Sequence, residues 1–289
     1  MPAQLLDGKD LAQKIRADLA EKAAKLAEKT GRPPGLAAVL VGDDPASQVY
    51  VSKKHQACQE AGFHSELIQL SDSISQDELL KRVRDLNRSV AIDGILVQLP
   101  LPKGIDENAV LEAVLPEKDV DGFHPLNQGK LMLGLDGFVA ATPKGVVRLL
   151  LENGVKLSGK HVVIVGRSTI VGKPLALLML RENATVTVCH SKTKHLEKMT
   201  SQADILVAAV GKAGLITADH VKDGAVVVDV GTNRVNGKLK GDVDFDAVSQ
   251  KASWISPVPG GVGPMTIAML LENTFESYEK KVRHADVRV

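Results

Sequence analysis

Apolar runs alternate with amphipathic segments along the 289 residues of the chain. Short apolar runs that end at glycine, proline or a polar residue are typical of buried strands. They lie at residues 36–41, 94–99, 162–165, 185–189, 205–210 and 225–230, and residues 66–70 also resemble a strand. Apolar positions at helical spacing predict helices between them, at residues 11–28, 47–60, 75–86, 172–181 and 265–281. Strands that alternate with helices predict parallel sheets and therefore an α/β fold.

The alternation of strands and helices restarts after Thr142-Pro143, which places a domain boundary near residues 138–145. The length of the chain also fits two domains of about 150 residues each. We therefore expect an N-terminal α/β domain over residues 1–140 and a second parallel-sheet domain over residues 141–269. The periodicity leaves open which domain the final helix packs against.

Composition narrows the classes of function that remain. Hydrophobic residues make up 44% of the chain and aromatic residues only 3%, so the cores are expected to be aliphatic, as in parallel sheets. The net charge of +1, with no basic run, argues against nucleic-acid binding. We find no apolar run of membrane-spanning length, no signal peptide and no metal-ligand spacing. Cys58 and Cys189 are interpreted as buried reduced thiols, and the cytoplasm is the simplest location.

A candidate nucleotide-binding turn follows the strand at residues 162–165. Gly166-Arg167-Ser168 leads to Gly172 at the start of a helix, an arrangement that aims backbone N–H groups at a phosphate. The turn departs from the G-x-G-x-x-G pattern, because Ser168 replaces the second glycine and the spacing to Gly172 is longer. A tight strand-to-helix turn without a ligand is the alternative.

The end of the following strand bears on which dinucleotide would bind. NAD enzymes of this architecture usually carry an acidic residue there for the ribose 2′-hydroxyl. This strand instead ends in His190-Ser191-Lys192, and Arg167 is available from the preceding turn. Arginine and hydroxyl groups can hold a 2′-phosphate that a carboxylate would repel. We therefore hypothesise NADP over NAD.

Candidate acid–base groups lie in the N-terminal half. Tyr50 and Lys54 are four residues apart on a predicted helix and so share a face. In a partly dry site the pKa of such a lysine would fall towards neutrality, where acid–base catalysis is efficient. A structural pair of no catalytic importance is the alternative. Gln98 closes a buried strand, where it would either enter a site or bind a neighbouring loop.

Two loops complete the set of candidates. Lys118-Asp119-Val120-Asp121-Gly122 places two carboxylates two residues apart, and we favour hydrogen bonds to a ring N–H and an amino group over calcium binding. Residues 257–266 hold three prolines and three glycines between two apolar elements. Such a defined loop suits a flat ligand or an anion.

Together these segments resemble the bifunctional methylenetetrahydrofolate dehydrogenase/methenyltetrahydrofolate cyclohydrolase (FolD) family. The resemblance covers nearly the whole chain. It rests on Tyr-Val-Ser-Lys-Lys at residues 50–54, Asp-Gly-Ile-Leu-Val-Gln-Leu-Pro-Leu-Pro at 93–102, Pro-Glu-Lys-Asp-Val-Asp-Gly at 116–122, Gly-Arg-Ser at 166–168 and Pro-Val-Pro-Gly-Gly-Val-Gly-Pro at 257–264. It implies NADP-dependent oxidation of 5,10-methylenetetrahydrofolate, followed by hydrolysis of the methenyl product to 10-formyltetrahydrofolate.

The resemblance also implies roles for individual residues. Lys54 would be the general acid–base residue, Gln98 would hydrogen-bond it, Tyr50 would stack on or orient the folate, and Asp121 would anchor the pterin. Further substrate contacts are expected at Val97, Leu99, Pro259, Gly260, Gly261 and Val262. Contacts with NADP are expected at Gly166, Arg167, Ser168, Ser191 and Thr232.

The family resemblance further implies an active-site cleft between a folate-binding domain and a Rossmann-like domain. The C-terminal helix, about residues 270–289, would return to the N-terminal domain, and nucleotide domains would form a homodimer. Two departures stand out. Ala140-Ala141 precedes Thr142-Pro143 where Pro-Cys is frequent, and Thr232 occupies a position where isoleucine is common. The alternatives are a monofunctional dehydrogenase of this family, another two-domain NADP dehydrogenase such as a shikimate-type enzyme, and a non-catalytic NADP sensor.

Overall fold

The computed structural model of the chain describes residues 2–286, with side chains as far as Arg283. Of the expected C-terminal helix, residues 287–289 therefore lie outside the described residues. The helices are α1 Gly8–Thr30, α2 Pro45–Glu60, α3 Gln76–Arg88, α4 Glu107–Ala113, α5 Pro125–Leu133, α6 Ala141–Glu152, α7 Gly172–Arg181, α8 Leu196–Thr200, α9 Phe245–Ser249 and α10 Val262–Asp286. The strands are β1 Gln4–Leu5, β2 Gly35–Val41, β3 His64–Leu70, β4 Gly94–Val97, β5 His161–Val165, β6 Thr185–Cys189, β7 Ile205–Ala208, β8 Val226–Asp229, β9 Asn233–Val235, β10 Lys238–Lys240 and β11 Trp254–Ile255.

The chain divides into two compact units, each made of two segments. Residues 1–12 and 142–266 form the first unit, and residues 13–141 and 267–289 form the second. The first twelve residues, which we expected in the N-terminal domain, belong to the other unit because β1 pairs with β11. Helices α1 and α10 each begin in the first unit and end in the second.

The second unit is built on a parallel sheet of three strands in the order β3-β2-β4. Strands β2 and β4 are buried along their whole length, as expected of parallel strands covered on both faces. Helices α3 and α4 contribute Leu79, Val83 and Val110 to the core on one face. The polar residues that follow β4 are thereby placed at the carboxyl edge of this sheet.

The first unit is built on a parallel sheet of six strands in the order β1-β11-β8-β7-β5-β6. The chain moves from β5 outward to β6 and then crosses back to β7 on the other side of β5. This reversal is the topological switch point at which doubly wound sheets bind ligands, outside the carboxyl ends of the strands. The α/β fold with parallel sheets predicted from the sequence is confirmed.

No helix among residues 2–286 has both the length and the apolar character needed to cross a membrane.

Candidate functional site

Helix α2 determines where Tyr50 and Lys54 lie. The helix begins at Pro45, where the Asp44 carboxylate accepts a hydrogen bond of 2.7 Å from the N–H of Ser47. Lys54 is only 7% exposed, whereas the adjacent Lys53 is exposed. Tyr50, one turn earlier on the same face, is half-buried. The fold therefore withdraws one of two adjacent lysines from water.

Gln98 is the hydrogen-bond partner of Lys54. The Lys54 ammonium donates to Gln98 Oε1 at 3.1 Å, although the two residues are 44 positions apart in sequence. Gln98 Nε2 donates to the carbonyl oxygen of Leu99 at 2.8 Å, which fixes the amide so that its oxygen faces the lysine. Gln98 therefore bonds both to Lys54 and to the backbone of the residue that follows it after β4.

The loop at residues 118–122 is held from two sides. Lys118 Nζ donates to the carbonyl oxygens of Leu86 at 3.0 Å and Ser89 at 2.7 Å, at the C-terminal end of α3. The Asp119 carboxylate accepts from Asn127 Nδ2 and from two backbone N–H groups, those of Phe123 and His124. These bonds assign a structural role to Lys118 and Asp119.

Asp121, two residues further on, is the member of the loop that interacts electrostatically with the lysine. Burial lowers the pKa of Lys54, while the charge of Asp121 acts in the opposite direction. Burial likewise raises the pKa of Asp121 to about 6, against the attraction of Lys54. A lysine whose pKa is lowered by burial, with a glutamine acceptor and a nearby carboxylate, is equipped to take up and return a proton.

Cys58 also lies near Lys54 but is not a candidate nucleophile. Burial raises the pKa of its thiol to about 12, so that the reactive thiolate is disfavoured.

The turn after β5, predicted to bind a nucleotide, is closely packed at the start of α7. Gly166 has a φ of 135°, and a β-carbon at this position would overlap the carbonyl oxygen of Ala209. Ser168 Oγ accepts from the N–H groups of Val171 and Gly172 at 3.1 and 3.4 Å, at the first turn of α7. Because that hydroxyl accepts these bonds, its proton is left to be donated to an anion. This close-packed turn at a helix N-terminus fits a dinucleotide phosphate.

The remaining predicted cofactor contacts are exposed and lie at the carboxyl ends of three strands of the same sheet. Arg167 follows β5, Ser191 follows β6, and Thr232 lies in the turn between β8 and β9. Exposure leaves each of them accessible to a ligand at this edge of the sheet.

The proline- and glycine-rich segment also lies in the first unit and leads into α10. The carbonyl oxygen of Pro257 accepts a bond of 2.8 Å from the N–H of Gly261, and the Val258–Pro259 peptide is cis. A β-carbon on Gly261 would overlap Pro257 and Ser256, so glycine is required at that position. Of the predicted substrate contacts, Pro259 is exposed and Val262 is buried at the first turn of α10.

Comparison with known protein families decides between the remaining alternatives. The model of the tetrahydrofolate dehydrogenase/cyclohydrolase catalytic domain matches residues 6–121, and the model of the NAD(P)-binding domain of the same family matches residues 140–282. The chain belongs to the tetrahydrofolate dehydrogenase/cyclohydrolase family. The resemblance drawn from the five motifs is confirmed, and with it a bifunctional enzyme of folate one-carbon metabolism.

Individual relatives match this chain over nearly their full lengths. The bifunctional protein FolD of Halalkalibacterium halodurans is 58% identical over 277 residues, covering 96% of this chain and 99% of the relative. The crystal structure of the FolD dehydrogenase-cyclohydrolase of Trypanosoma brucei, solved in complex with NADP cofactor and an inhibitor, is 40% identical with a TM-score of 0.95. That comparison covers 98% of this chain and 99% of the other.

The shikimate-type alternative shares only the fold. Shikimate 5-dehydrogenase of Thermus thermophilus is 17% identical with a TM-score of 0.53, covering 85% of this chain and 98% of that one. Its similarity therefore does not extend to function, and the family assignment takes precedence.

Some residues that shape the site were missed by sequence reasoning. Asp229 and Asp242 are buried carboxylates in the NAD(P)-binding domain, and Asn127 holds the Asp121 loop through Asp119. The only signal available from sequence was an acidic residue at the end of an apolar strand, Asp229. Among the described residues, no group of three His, Cys, Asp or Glu side chains could hold a metal ion.

Proposed function

We propose that Lys54 is the general acid–base residue of the cyclohydrolase reaction, with Gln98 and Asp121 setting its state of protonation. The observation that supports this most strongly is the convergence of Gln98 and Asp121 on the nearly buried amine of Lys54. Desolvation favours the neutral amine, which is the form that accepts a proton. The Gln98 oxygen accepts a hydrogen bond from Lys54 in either protonation state.

The proposed hydrolysis requires two proton transfers through Lys54 and the release of one further proton to solvent. Water attacks the methenyl carbon of the cationic substrate, and the neutral Lys54 amine accepts the proton that this water loses. The resulting ammonium then returns a proton to N5 of the tetrahydrofolate as the bond between that nitrogen and the one-carbon unit breaks. The hydroxyl proton of the tetrahedral adduct passes to solvent as its carbonyl forms, so the reaction yields 10-formyltetrahydrofolate and one released proton, with Lys54 again a neutral amine.

The preceding oxidation is chiefly a matter of positioning. The hydride acceptor is supplied by NADP, and transfer needs the two reacting carbons held about 3–3.5 Å apart. We assign the orientation of the folate to Tyr50, Val97, Leu99 and Asp121, with the segment Pro259-Gly260-Gly261-Val262 as a further set of contacts. The Asp121 carboxylate would accept hydrogen bonds from the pterin ring N–H and amino group.

We propose NADP rather than NAD as the preferred dinucleotide. The exposed Arg167 guanidinium and Ser191 hydroxyl offer charge and hydrogen bonds to a 2′-phosphate, and no carboxylate ends β6 to repel it. Comparison of kcat/KM for the two dinucleotides tests this preference, and a higher value with NAD would contradict it.

The role of Lys54 is tested by the variant Lys54→Met, with Lys53→Met as the matched control. Loss of acid–base catalysis should lower the rate of methenyl hydrolysis by about 10²–10⁴-fold. The exposed Lys53 should be replaceable with little effect on that rate. The reaction is followed with methylenetetrahydrofolate and NADP through formation and decay of the methenyl absorbance. Wild-type hydrolysis in Lys54→Met would remove Lys54 from its assigned role.

We also propose that the chain forms a homodimer through its NAD(P)-binding domains. We further propose that it is located in the cytoplasm. Strand β6 lies at an edge of the six-stranded sheet and exposes Val188, while the adjacent helix α7 exposes Leu180. The two buried free thiols, Cys58 and Cys189, fit a reducing compartment. Light scattering of the purified chain tests the dimer, and a monomer at micromolar concentration would contradict it.

A further inference from the structure

Two buried aspartates lie at the carboxyl edge of the six-stranded sheet without a role in the reactions described above. Asp229 ends β8 and is 4% exposed, and Asp242 follows β10 and is fully buried. Carboxylates at such depth require strong compensation by hydrogen bonds or counter-charges. The partners of these two carboxylates show what the pair does.

Asp242 binds the turn that follows β7. Its Oδ2 accepts from the N–H groups of Val210 at 2.7 Å and Gly211 at 3.0 Å. Its Oδ1 accepts from the N–H of Lys212 at 2.7 Å and from Nδ2 of Asn233 at 2.9 Å. Three consecutive backbone N–H groups thus converge on one anion, an arrangement that elsewhere binds phosphate. Here the chain fills it with its own carboxylate.

Asp229 holds Asp242 in turn. Its carboxylate accepts from the backbone N–H groups of Gly231, Asp242 and Val243, each at 2.9 Å. The N–H of Asp229 donates to Ser256 Oγ at 2.7 Å, immediately before the proline- and glycine-rich segment. The pair therefore connects the turns after β7 and β8 with the start of that segment through seven backbone N–H groups.

The backbone packs so closely around the pair that side chains are excluded. A β-carbon on Gly231 would overlap the Asp242 carboxyl group, and one on Gly241 would overlap that of Asp229. The turns around the carboxylates consequently have little freedom to shift.

These turns lie where the second half of a dinucleotide is expected. A doubly wound sheet binds its dinucleotide across the switch point, one mononucleotide on each side. The dinucleotide phosphate is assigned to the turn after β5, and the 2′-phosphate to the end of β6. The other half of the dinucleotide is therefore expected over β7 and β8. The backbone at Gly166 also packs closely against Ala209, the residue immediately before the turn held by Asp242.

We infer that Asp229 and Asp242 are positioning residues for NADP: they fix the turns 210–212 and 231–233 on which one half of the dinucleotide lies. The inference rests on the proposed binding of NADP to this unit. In this arrangement the turn after β7 supports NADP by its shape. It does not bind an anion of the ligand, because its three converging N–H groups already donate to Asp242.

The test uses Asp242→Asn in the full chain, with Asp246→Asn as the control. The substituted amide is isosteric, but either orientation turns its NH2 group towards two N–H donors, so the turns must rearrange. Asp246 is an exposed aspartate in α9 of the same unit. The Kd for NADP is measured by titration calorimetry, and KM for NADP by the dehydrogenase assay.

We expect Asp242→Asn to raise both the Kd and the KM for NADP at least tenfold. The control variant Asp246→Asn should leave both values unchanged. Hydrolysis of methenyltetrahydrofolate, which consumes no NADP, should stay within threefold of the wild-type rate. A purely structural role would lower the melting temperature but leave the Kd of the folded protein unchanged, and that outcome overturns the inference. Absence of NADP binding by the wild type would instead refute the proposed cofactor.

A milder variant decides the matter if Asp242→Asn fails to fold. Asn233→Ala removes one donor to Asp242 from a half-buried residue and leaves both carboxylates in place. We expect a rise in the Kd for NADP of about threefold or more, and a Kd within experimental error of the wild type overturns the inference.

Discussion

Gln98 offers Lys54 one acceptor oxygen, and the nature of that acceptor influences the lysine pKa. The amide orientation is fixed because Gln98 Nε2 is bound to the Leu99 carbonyl oxygen. Burial alone lowers the pKa of Lys54, so the remaining tuning depends on the groups around the amine. A change of acceptor charge at position 98 should therefore change the pH at which the hydrolase works.

We predict opposite shifts for two variants of Gln98. Gln98→Glu places an anion beside Lys54, which favours the ammonium and raises the lysine pKa, by about 1–3 units for an opposite charge in contact. The alkaline rise of kcat/KM for methenyl hydrolysis should then move to higher pH, because catalysis starts from the neutral amine. Gln98→Met removes the acceptor and should move that rise to lower pH.

The measurement is the pH profile of kcat/KM for hydrolysis, after subtraction of the uncatalysed rate. The two variants control for each other, since both lose the amide but only one gains a charge. A profile that moves in the same direction in both variants would contradict electrostatic tuning of Lys54 by Gln98.

Asp121 is predicted to bind folate directly. Removal of a charged hydrogen-bonding group costs about 1.5–3 kcal/mol, so Asp121→Ala should weaken folate binding about 10- to 100-fold. The Kd for tetrahydrofolate is measured by calorimetry. Asp72→Ala, at an exposed aspartate of the same unit, is the control. An unchanged Kd in Asp121→Ala would contradict the pterin assignment.

The sequence identified residues whose chemistry is local and left out residues that act through the backbone. The spacing of Tyr50 and Lys54 sufficed to place them on one face of a helix. Spacing did not distinguish Asp119 from Asp121, because their roles depend on which of them meets the N–H groups of the following turn. Asp242 was invisible for the same reason, since most of its partners are backbone groups from 30 to 32 residues away.

Helices and strands with a strong period were predicted well, and very short ones were missed. Helix α7 and strand β6 have the predicted bounds, while β4 ends two residues before the predicted position. Strands β1 and β11 have only two residues each and exist through pairing with partners far away in sequence. The hairpin of β9 and β10 turns at Asn236-Gly237, both with positive φ, a local signal that had been available.

The N-terminus of α3 carries a capping box. Ser75 Oγ accepts from the Glu78 N–H at 3.3 Å, and a Glu78 carboxylate oxygen accepts from the Ser75 N–H at 3.1 Å, the two bonds of a capping box. We predict that Ser75→Ala lowers the free energy of unfolding by about 1 kcal/mol.

Urea denaturation of the full chain measures this change. Ser75→Thr retains the hydroxyl oxygen and should cost less than Ser75→Ala, which makes it the matched control. Equal losses in both variants would mean that the cap contributes nothing measurable to stability.

Each of the two units is made of two separate segments of the chain, so neither unit corresponds to one continuous stretch of sequence. We expected residues 1–140 in one domain, yet residues 1–12 join the other unit because β1 extends its sheet. Two residues paired with a strand some 250 positions later leave no periodic signal. The C-terminal half of α10 completes the unit that begins at residue 13, where Asn273 Nδ2 donates to the carbonyl oxygens of Val120 and Val139.

Shared helices predict shared unfolding. Because α1 and α10 each contribute residues to both units, loss of either unit removes one end of two continuous helices, and helix formation is cooperative along its length. Each unit also carries one buried thiol, Cys189 in the first and Cys58 in the second. Thiol reactivity therefore reports the opening of each unit separately within the unmodified chain.

We predict that both thiols become reactive at the same denaturant concentration. Pulsed alkylation along a urea series, followed by mass spectrometry of the two cysteine peptides, gives one midpoint for each unit. Addition of NADP, bound by the first unit, should raise both midpoints together, because a ligand that binds only the folded state stabilises every part of a cooperative whole. Two separate midpoints, or a shift confined to Cys189, would show that the units unfold independently despite the helices they share.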